Sequence, residues 1–405
     1  MAVHSRIRAL TAALRLGLLA GVAMAPAALA TSRDEPVIPQ RLTTVLEMPA
    51  VTGFVGRPLV AAAWQVTLDA GRLRAAQSGL SLEVEGQTVS FRRDAPGVLP
   101  TGDLLLHART EDSHESFPAI LSARGLTAAF RMDDLLYRLL PLDDGQHLLI
   151  RVDETRLPPS HAQATAASAA PRHQAGTGTP AAAPSVIRVL VAASAEAAAG
   201  YPGDLRALAE LSIAESNRTY DNSGLAMRLE LAAFRQSTYL ESRNMSLDVR
   251  RLVAPADGYL DELHEVRDRV GADVGMLMLD RAASCGEAAE IGADAATAFA
   301  AVLVDCATGQ YTFAHEIGHL GGARHDLRRD PATSPYPFGH GYWYQPPRAL
   351  GWRTVMSYDC PTGCRRIPYW SSPTLRHEGV PVGNAAEADN RRVLDITRST
   401  VAGFR

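Results

Sequence analysis

Apolar and polar positions follow two rhythms along this chain. Between residues 31 and 154 the rhythm is mostly the two-residue period of half-buried strands. In the stretch 80–91, Leu82, Val84 and Val89 are separated by Glu83, Glu85 and Gln87. Apolar-rich runs at 137–140 and 147–152 flank Asp143-Asp144-Gly145, the pattern of strand, turn and strand. Residues 155–184 keep neither rhythm. They are rich in Pro, Ala, Ser, Thr and Gly and nearly empty of large apolar side chains, so they read as a linker open to proteolysis. From residue 185 onward strand-like and helix-like runs interleave. Residues 186–191, 225–231, 274–279 and 299–304 read as strands. Asp204 caps a helix whose Leu205, Leu208, Ala209, Ser212, Ile213 and Tyr220 share a face and which ends near Gly224; residues 257–270 read as a second helix. Helices interleaved with strands predict an α/β (α+β) domain with a twisted mixed sheet, preceded by a β-rich domain. The sequence contains no internal repeat.

The N-terminus has its own pattern. Arg6, Arg8 and Arg15 precede a short apolar run over 16–25, and Ala28-Leu29-Ala30 precedes polar Thr31-Ser32-Arg33-Asp34. That is a secretory signal peptide with an A-x-A cleavage site. The run is shorter than the ~20 apolar residues a membrane-spanning helix needs. The expectation is a signal peptide at 1–30, a β-rich region at 31–154, a linker at 155–184 and a second domain at 185–405. The mature protein is then exported, extracellular or periplasmic, without a membrane anchor. Cysteine usage fits an oxidising compartment. The four are Cys285, Cys306, Cys360 and Cys364. Cys360 and Cys364 are close enough for a local loop, which leaves Cys285 for Cys306.

The residues that carry chemistry lie in Thr312-Phe-Ala-His-Glu-Ile-Gly-His-Leu-Gly-Gly-Ala-Arg-His-Asp326, which contains H-E-x-x-H-x-x-G-x-x-H. On a helix, His315 and His319 stand one turn apart on one face, so both imidazoles reach one ion. Glu316 sits about 100° round the helix, able to reach a water at the metal without being a ligand. Gly321 and Gly322 end the helix, and His325 returns as third ligand. Three protein ligands leave a position open, which is the catalytic arrangement of zinc. One Zn²⁺ is therefore the expected cofactor.

This pattern resembles the metzincin clan of zinc endopeptidases, whose second hallmark is a downstream Met-turn. Thr354-Val355-Met356-Ser357-Tyr358 fits it. The resemblance implies a Met floor at Met356, a catalytic or metal-side role for Tyr358, and support of the Met-turn by Asp326, the last as in reprolysin-like members. Gly339-His340-Gly341-Tyr342, Arg366-Ile367-Pro368-Tyr369-Trp370-Ser371 and Ala388-Asp389-Asn390-Arg391 are most similar to the bacterial peptidyl-Asp metallopeptidases. A preference for acidic residues at P1′ follows from that likeness. It calls for a cation, and Arg353, Arg365, Arg366 and Arg376 are the candidates near the Met-turn. Zymogens of the clan imply that residues 31–184 inhibit the enzyme until cleavage within 155–184. A cysteine switch is impossible, because 31–184 holds no Cys; Asp103, His107, Asp112 and His114 are the other candidates. His340 reads as a loop His unrelated to the metal.

Composition narrows the alternatives. All 40 basic side chains are Arg. Without Lys there is no Schiff-base anchor and no phosphate-binding Lys of the common phosphotransfer motifs. The net charge of −4 shows no basic half, so no nucleic-acid partner is expected. The expected partners are protein or peptide substrates and the chain's own N-terminal region. The sequence leaves calcium open. A second reading is a zinc-stabilised binding or adhesion module that lacks catalysis; the retained Glu316 argues against it. A gluzincin would use a Glu in place of His325, which the third-His spacing and Met-turn disfavour.

Overall fold

A computed structural model of the chain describes residues 40–41, 49–69, 71, 74, 80–92, 97–110, 115–160 and 183–405. The signal peptide, Asp112, His114 and residues 161–182 of the linker lie outside the described residues. No helix among the described residues is long and apolar enough to cross a membrane.

The N-terminal half is a single antiparallel sheet. Its strands are β1 (Gln40–Arg41), β2 (Val60–Thr67), β3 (Leu80–Val84), β4 (Gln87–Arg92), β5 (Leu104–Thr110), β6 (Ser116–Leu121), β7 (Leu126–Met132), β8 (Leu135–Pro141) and β9 (Gln146–Val152), with helix α1 (Pro49–Val55) after β1. The order β1-β2-β9-β8-β7-β6-β5-β4-β3 is a β3–β9 meander extended by β2, which pairs antiparallel with β9, and by β1 at that edge. Two expectations change here. The alternation at 80–91 is a hairpin rather than one strand, because Glu85 and Gly86 both take positive φ (50° and 82°) and turn the chain. The central strands are also buried on both faces, not half-buried. One face packs Phe91, Phe130 and Leu139 into the sheet's own core. The other carries Ile120, Leu136 and Leu148 into a core shared with residues 187–401.

The C-terminal half starts with β10 (Ser185–Ala193), α2 (Ala195–Gly200), α3 (Leu205–Asn222), β11 (Met227–Gln236), α4 (Met245–Val253) and α5 (Asp261–Val270). It continues with β12 (Val274–Leu279), β13 (Gly286–Ala288), β14 (Phe299–Leu303) and α6 (Thr312–Leu320). Its sheet has the order β11-β10-β12-β14-β13, parallel except for β13, which is antiparallel at the edge. Asp204 caps α3 as expected, its Oδ1 accepting from the N–H groups of Arg206 and Ala207. The helix expected at 257–270 begins only at Asp261. The Asp261 carboxylate accepts from the N–H groups of Asp257 and Gly258 (3.1 and 3.0 Å), which holds those residues in a turn. The sequence reading also missed α4, whose cap is the Asn244 side chain on Leu247 N–H. After α6 come β15 (Trp343–Tyr344), β16 (Gly351–Arg353), β17 (Cys364–Arg366), β18 (Arg376–His377), β19 (Val380–Pro381) and α7 (Asn390–Val401).

Both expected disulfides form, Cys285–Cys306 and Cys360–Cys364, with Cα separations of 5.5 and 5.4 Å. The first ties the start of β13 to the end of β14. The start of the expected linker is not free of structure. Glu154–Arg156 make a 3₁₀ turn, Leu157 packs against the C-terminal half, and the carbonyls of Pro159 and Ser160 accept from the N–H groups of Cys285 (2.8 Å) and Gly286 (3.3 Å). A strap from the N-terminal half therefore runs beside the edge strand β13. Arg57, after α1, anchors the same contact by bridging Asp280 and Asp305.

Candidate active site

Helix α6 is buried along its whole length. Phe313, Ile317 and Leu320 fill the shared core, which fixes the opposite face, and with it His315 and His319, towards the cleft. Gly318 in the middle of the helix is required by close approach: a Cβ there would lie 2.6 Å from Trp370 and 2.9 Å from Met356 Sδ. Past the helix end, Gly322 adopts φ 98°, which an L side chain rarely tolerates, and the chain reverses. Arg324 then bonds to the loop at Gly339 and Gly341, and His325 comes back to face the helix.

The three His rings converge. Nε2 of His325 lies 3.2 Å from Nε2 of His315 and 3.0 Å from Nε2 of His319. The other ring nitrogens explain why. His315 Nδ1 faces the carbonyl of Val355 (2.7 Å) and His319 Nδ1 that of Ala323 (2.8 Å). A carbonyl only accepts, so each Nδ1 carries the proton and each Nε2 offers a bare lone pair. Burial depresses His319 to about 4, which keeps it in the neutral form a metal needs. Ligands about 2.0–2.1 Å from a tetrahedral zinc would stand roughly 3.3 Å apart, so the donor set fits that ion. Among the described residues these three His are the group able to hold a metal.

Glu316 is fully buried beside the triad, where Gly286 of β13 has no side chain to collide with its carboxylate. Burial pushes its carboxyl well above the usual range and Glu287 adds like charge, while Arg366 opposes the rise. Met356 is fully buried under α6, and the Val355 carbonyl just before it orients His315. Asp326 Oδ2 accepts from Tyr358 N–H at 3.0 Å and Ser357 Oγ at 3.4 Å, which pins the turn after Met356. The Tyr358 ring stands edge-on to His325 with centroids 4.6 Å apart. Burial and the nearby Glu316 carboxylate raise its phenol to about 12, so it keeps its proton. His340 is not an incidental loop residue. It is fully buried and its Nδ1 donates to the His325 carbonyl at 2.9 Å, which props the third ligand. Nothing in its sequence context signals that role, since its partner is a backbone oxygen.

The four candidate cations separate. Arg365 pairs with Asp134 (2.9 Å) and Glu378 (3.1 Å), and exposed Arg376 donates to Gly379 O. Arg353 and Arg366 instead lie buried behind the Met-turn, both directed at the Ser357 carbonyl. Two switch candidates lie at or within β5. Asp103 pairs with Arg206 of α3 at 3.0 Å, and His107 pairs in register within the sheet, opposite Pro118. Neither belongs to the His cluster.

Helix α6 with its returning His, the Met-turn beneath it and the edge strand beside it define a zinc metallopeptidase. Residues 183–371 match Reprolysin_5, metallo-peptidase family M12. The chain is 40% identical over 413 residues to a peptidyl-Asp metalloendopeptidase of Stenotrophomonas maltophilia strain R551-3, covering 96% of this chain and 97% of that one. It is 40% identical over 390 residues to one from Xanthomonas campestris pv. campestris, covering 89% and 90%. A solved metalloproteinase-II from Bacteroides fragilis shows a TM-score of 0.39 at 17% identity, over 64% of this chain and 85% of that one. The chain belongs to the peptidyl-Asp metalloendopeptidase family and is a zinc metalloendopeptidase. The reading as a non-catalytic binding module falls away.

Proposed function

We propose that the chain is exported as a zymogen, matures by cleavage within 155–184, and cuts peptides beside acidic residues at P1′ with Glu316 as general base. The placement of a buried Glu316 carboxylate beside three convergent imidazoles supports the catalytic part of this reading.

His315, His319 and His325 would hold the zinc ion, which when bound polarises the scissile carbonyl and acidifies water. Glu316 takes the proton of the attacking water on its carboxylate and delivers it to the leaving amine. Tyr358, kept protonated, donates a hydrogen bond to the oxygen that gains charge. The β-rich half fits a prodomain. It sends the strap 157–160 along β13, the edge where an extended substrate would add its backbone. The relatives' printed name supports the acidic preference, and the two buried Arg supply a chemical reason for it.

Intact-mass analysis of protein recovered from the medium should show a species starting near Ser185, and a peptide library should be cut with Asp or Glu enriched at P1′. An active form that keeps residues 31–154, or a library cut without acidic enrichment, contradicts the corresponding part of the reading.

A further inference from the structure

Arg353 and Arg366 are register partners on the parallel strands β16 and β17, so their side chains leave the same face side by side. They are 8% and 3% exposed. Arg366 donates to the Gln310 carbonyl (2.8 Å), to Ser160 Oγ (2.8 Å) and, more distantly, to the Ser357 carbonyl (3.5 Å). Arg353 donates to the Ser357 carbonyl at 2.9 Å. Carbonyls and a hydroxyl do not neutralise a guanidinium. Among the described residues the carboxylate in ion-pair reach of this couple is Asp359, 3.7 Å from Arg353 Nε and 62% exposed. The Nε atoms of both Arg are buried without an acceptor. Like charges placed together and removed from water, with exposed Asp359 and at longer range the Glu316 carboxylate as their acids, still favour an added anion at this place.

The position of that demand is specific. Arg366 ties Ser357, next to the Met floor, to Gln310, just before α6. The strap shows what reaches it from the cleft. Ser160 bonds through its carbonyl to Gly286, the residue lying against Glu316, and through its side chain to Arg366. An extended peptide bonded to β13 as the strap is would carry one side chain to the same guanidinium. A carboxylate there accepts charge-assisted, bidentate bonds where Ser160 offers one neutral oxygen.

We propose that Arg366, backed by Arg353, reads the acidic side chain of the substrate, and that Ser160 holds that subsite in the uncleaved chain. This rests on the acidic preference proposed above and narrows it to one residue of the four candidates.

The test compares the mature enzyme on two peptides that differ only as Asp against Asn at the position beside the cut. Wild type should favour Asp by about 100-fold in kcat/KM. Arg366→Gln should bring the ratio to within a few-fold of unity by losing the Asp peptide. Arg366→Lys should restore part of it, and Arg365→Gln should keep the wild-type ratio. An equal fall on both peptides, with the ratio intact, assigns Arg366 a bracing role and overturns the proposal. A wild-type enzyme without preference overturns the acidic reading itself. Should the Arg366 variants fail to fold, Ser160→Asp in the full chain places a carboxylate on an intact Arg366. It should lengthen the half-life to maturation several-fold relative to Ser160→Asn, and equal half-lives overturn the proposal.

Discussion

The metal end and the cationic end of the cleft are built by opposite means. His315, Glu316, His319 and His325 lie within one short stretch, where a helical turn and a glycine reversal suffice to bring them together. Arg353, Arg366, the Gln310 carbonyl and Ser160 come from separate stretches. They meet because β17 pairs with β16 and the chain after β9 crosses to β13. A metal centre demands fixed local geometry, so its residues recur at helical spacing. A subsite for a substrate side chain asks only that a charge be held at one place, which tertiary pairing supplies. The two ends should fail separately when mutated.

The largest effect is expected at the metal end. His325→Ala removes one of three ligands and should lower zinc occupancy in metal analysis, with kcat/KM falling at least roughly 10³-fold. Full zinc retention would mean that another residue completes the site.

That end was legible in the sequence because helix geometry maps spacing onto direction. The two disulfides and the strand–turn–strand at 137–152 were legible for the same local reason. The cationic end was not. Sequence proximity to the Met-turn nominated Arg353, Arg365, Arg366 and Arg376 alike, and strand register alone separates the buried couple from Arg365, which pairs with Asp134 of the β-rich half. The strap was hidden by its composition, since Pro158, Pro159 and Ser160 read as linker while their backbone is pinned to β13. His340 was hidden because it acts on a carbonyl.

Next in size is the ion-pair junction between the β-rich half and the C-terminal half. Arg57 stands between Asp280 and Asp305, so Arg57→Ala leaves two poorly solvated carboxylates facing each other. The full chain should lose about 3–5 kcal/mol in denaturant unfolding, while its zinc content in metal analysis should stay at the wild-type level. A loss of zinc would couple this junction to the metal end.

Gly318→Val tests the floor of the metal end. The added side chain meets Trp370 and Met356 and should cost about 1–3 kcal/mol by overpacking. Weakened zinc binding should accompany it, seen by chelator titration.

The smallest expected effect is the response to pH. Burial raises Glu210 of α3 from 4.5 to about 7 beside Thr101 and Asp103 of the β-rich half. Its protonated form is favoured in the folded chain. The stability it supports is complete below about 4.5, declines as pH rises through about 7, and is level above that. Melting of the full chain should therefore drop between about pH 4.5 and 7, with Glu210→Gln flattening the curve by up to about 2 kcal/mol. A Glu210→Gln curve as steep as wild type would place the titration elsewhere, with the equally raised Glu215 as the next group to change.

On the proposed mechanism Glu316 moves the proton and has no part in choosing the substrate. The direct measurement is kcat/KM of matured Glu316→Gln on the Asp and Asn peptides, with zinc quantified in the same samples. One zinc per chain as in wild type, a fall of roughly 10³–10⁴-fold on both peptides and an unchanged ratio between them are expected. Near-wild-type turnover at equal zinc loading, or a ratio that shifts with the loss, would contradict it.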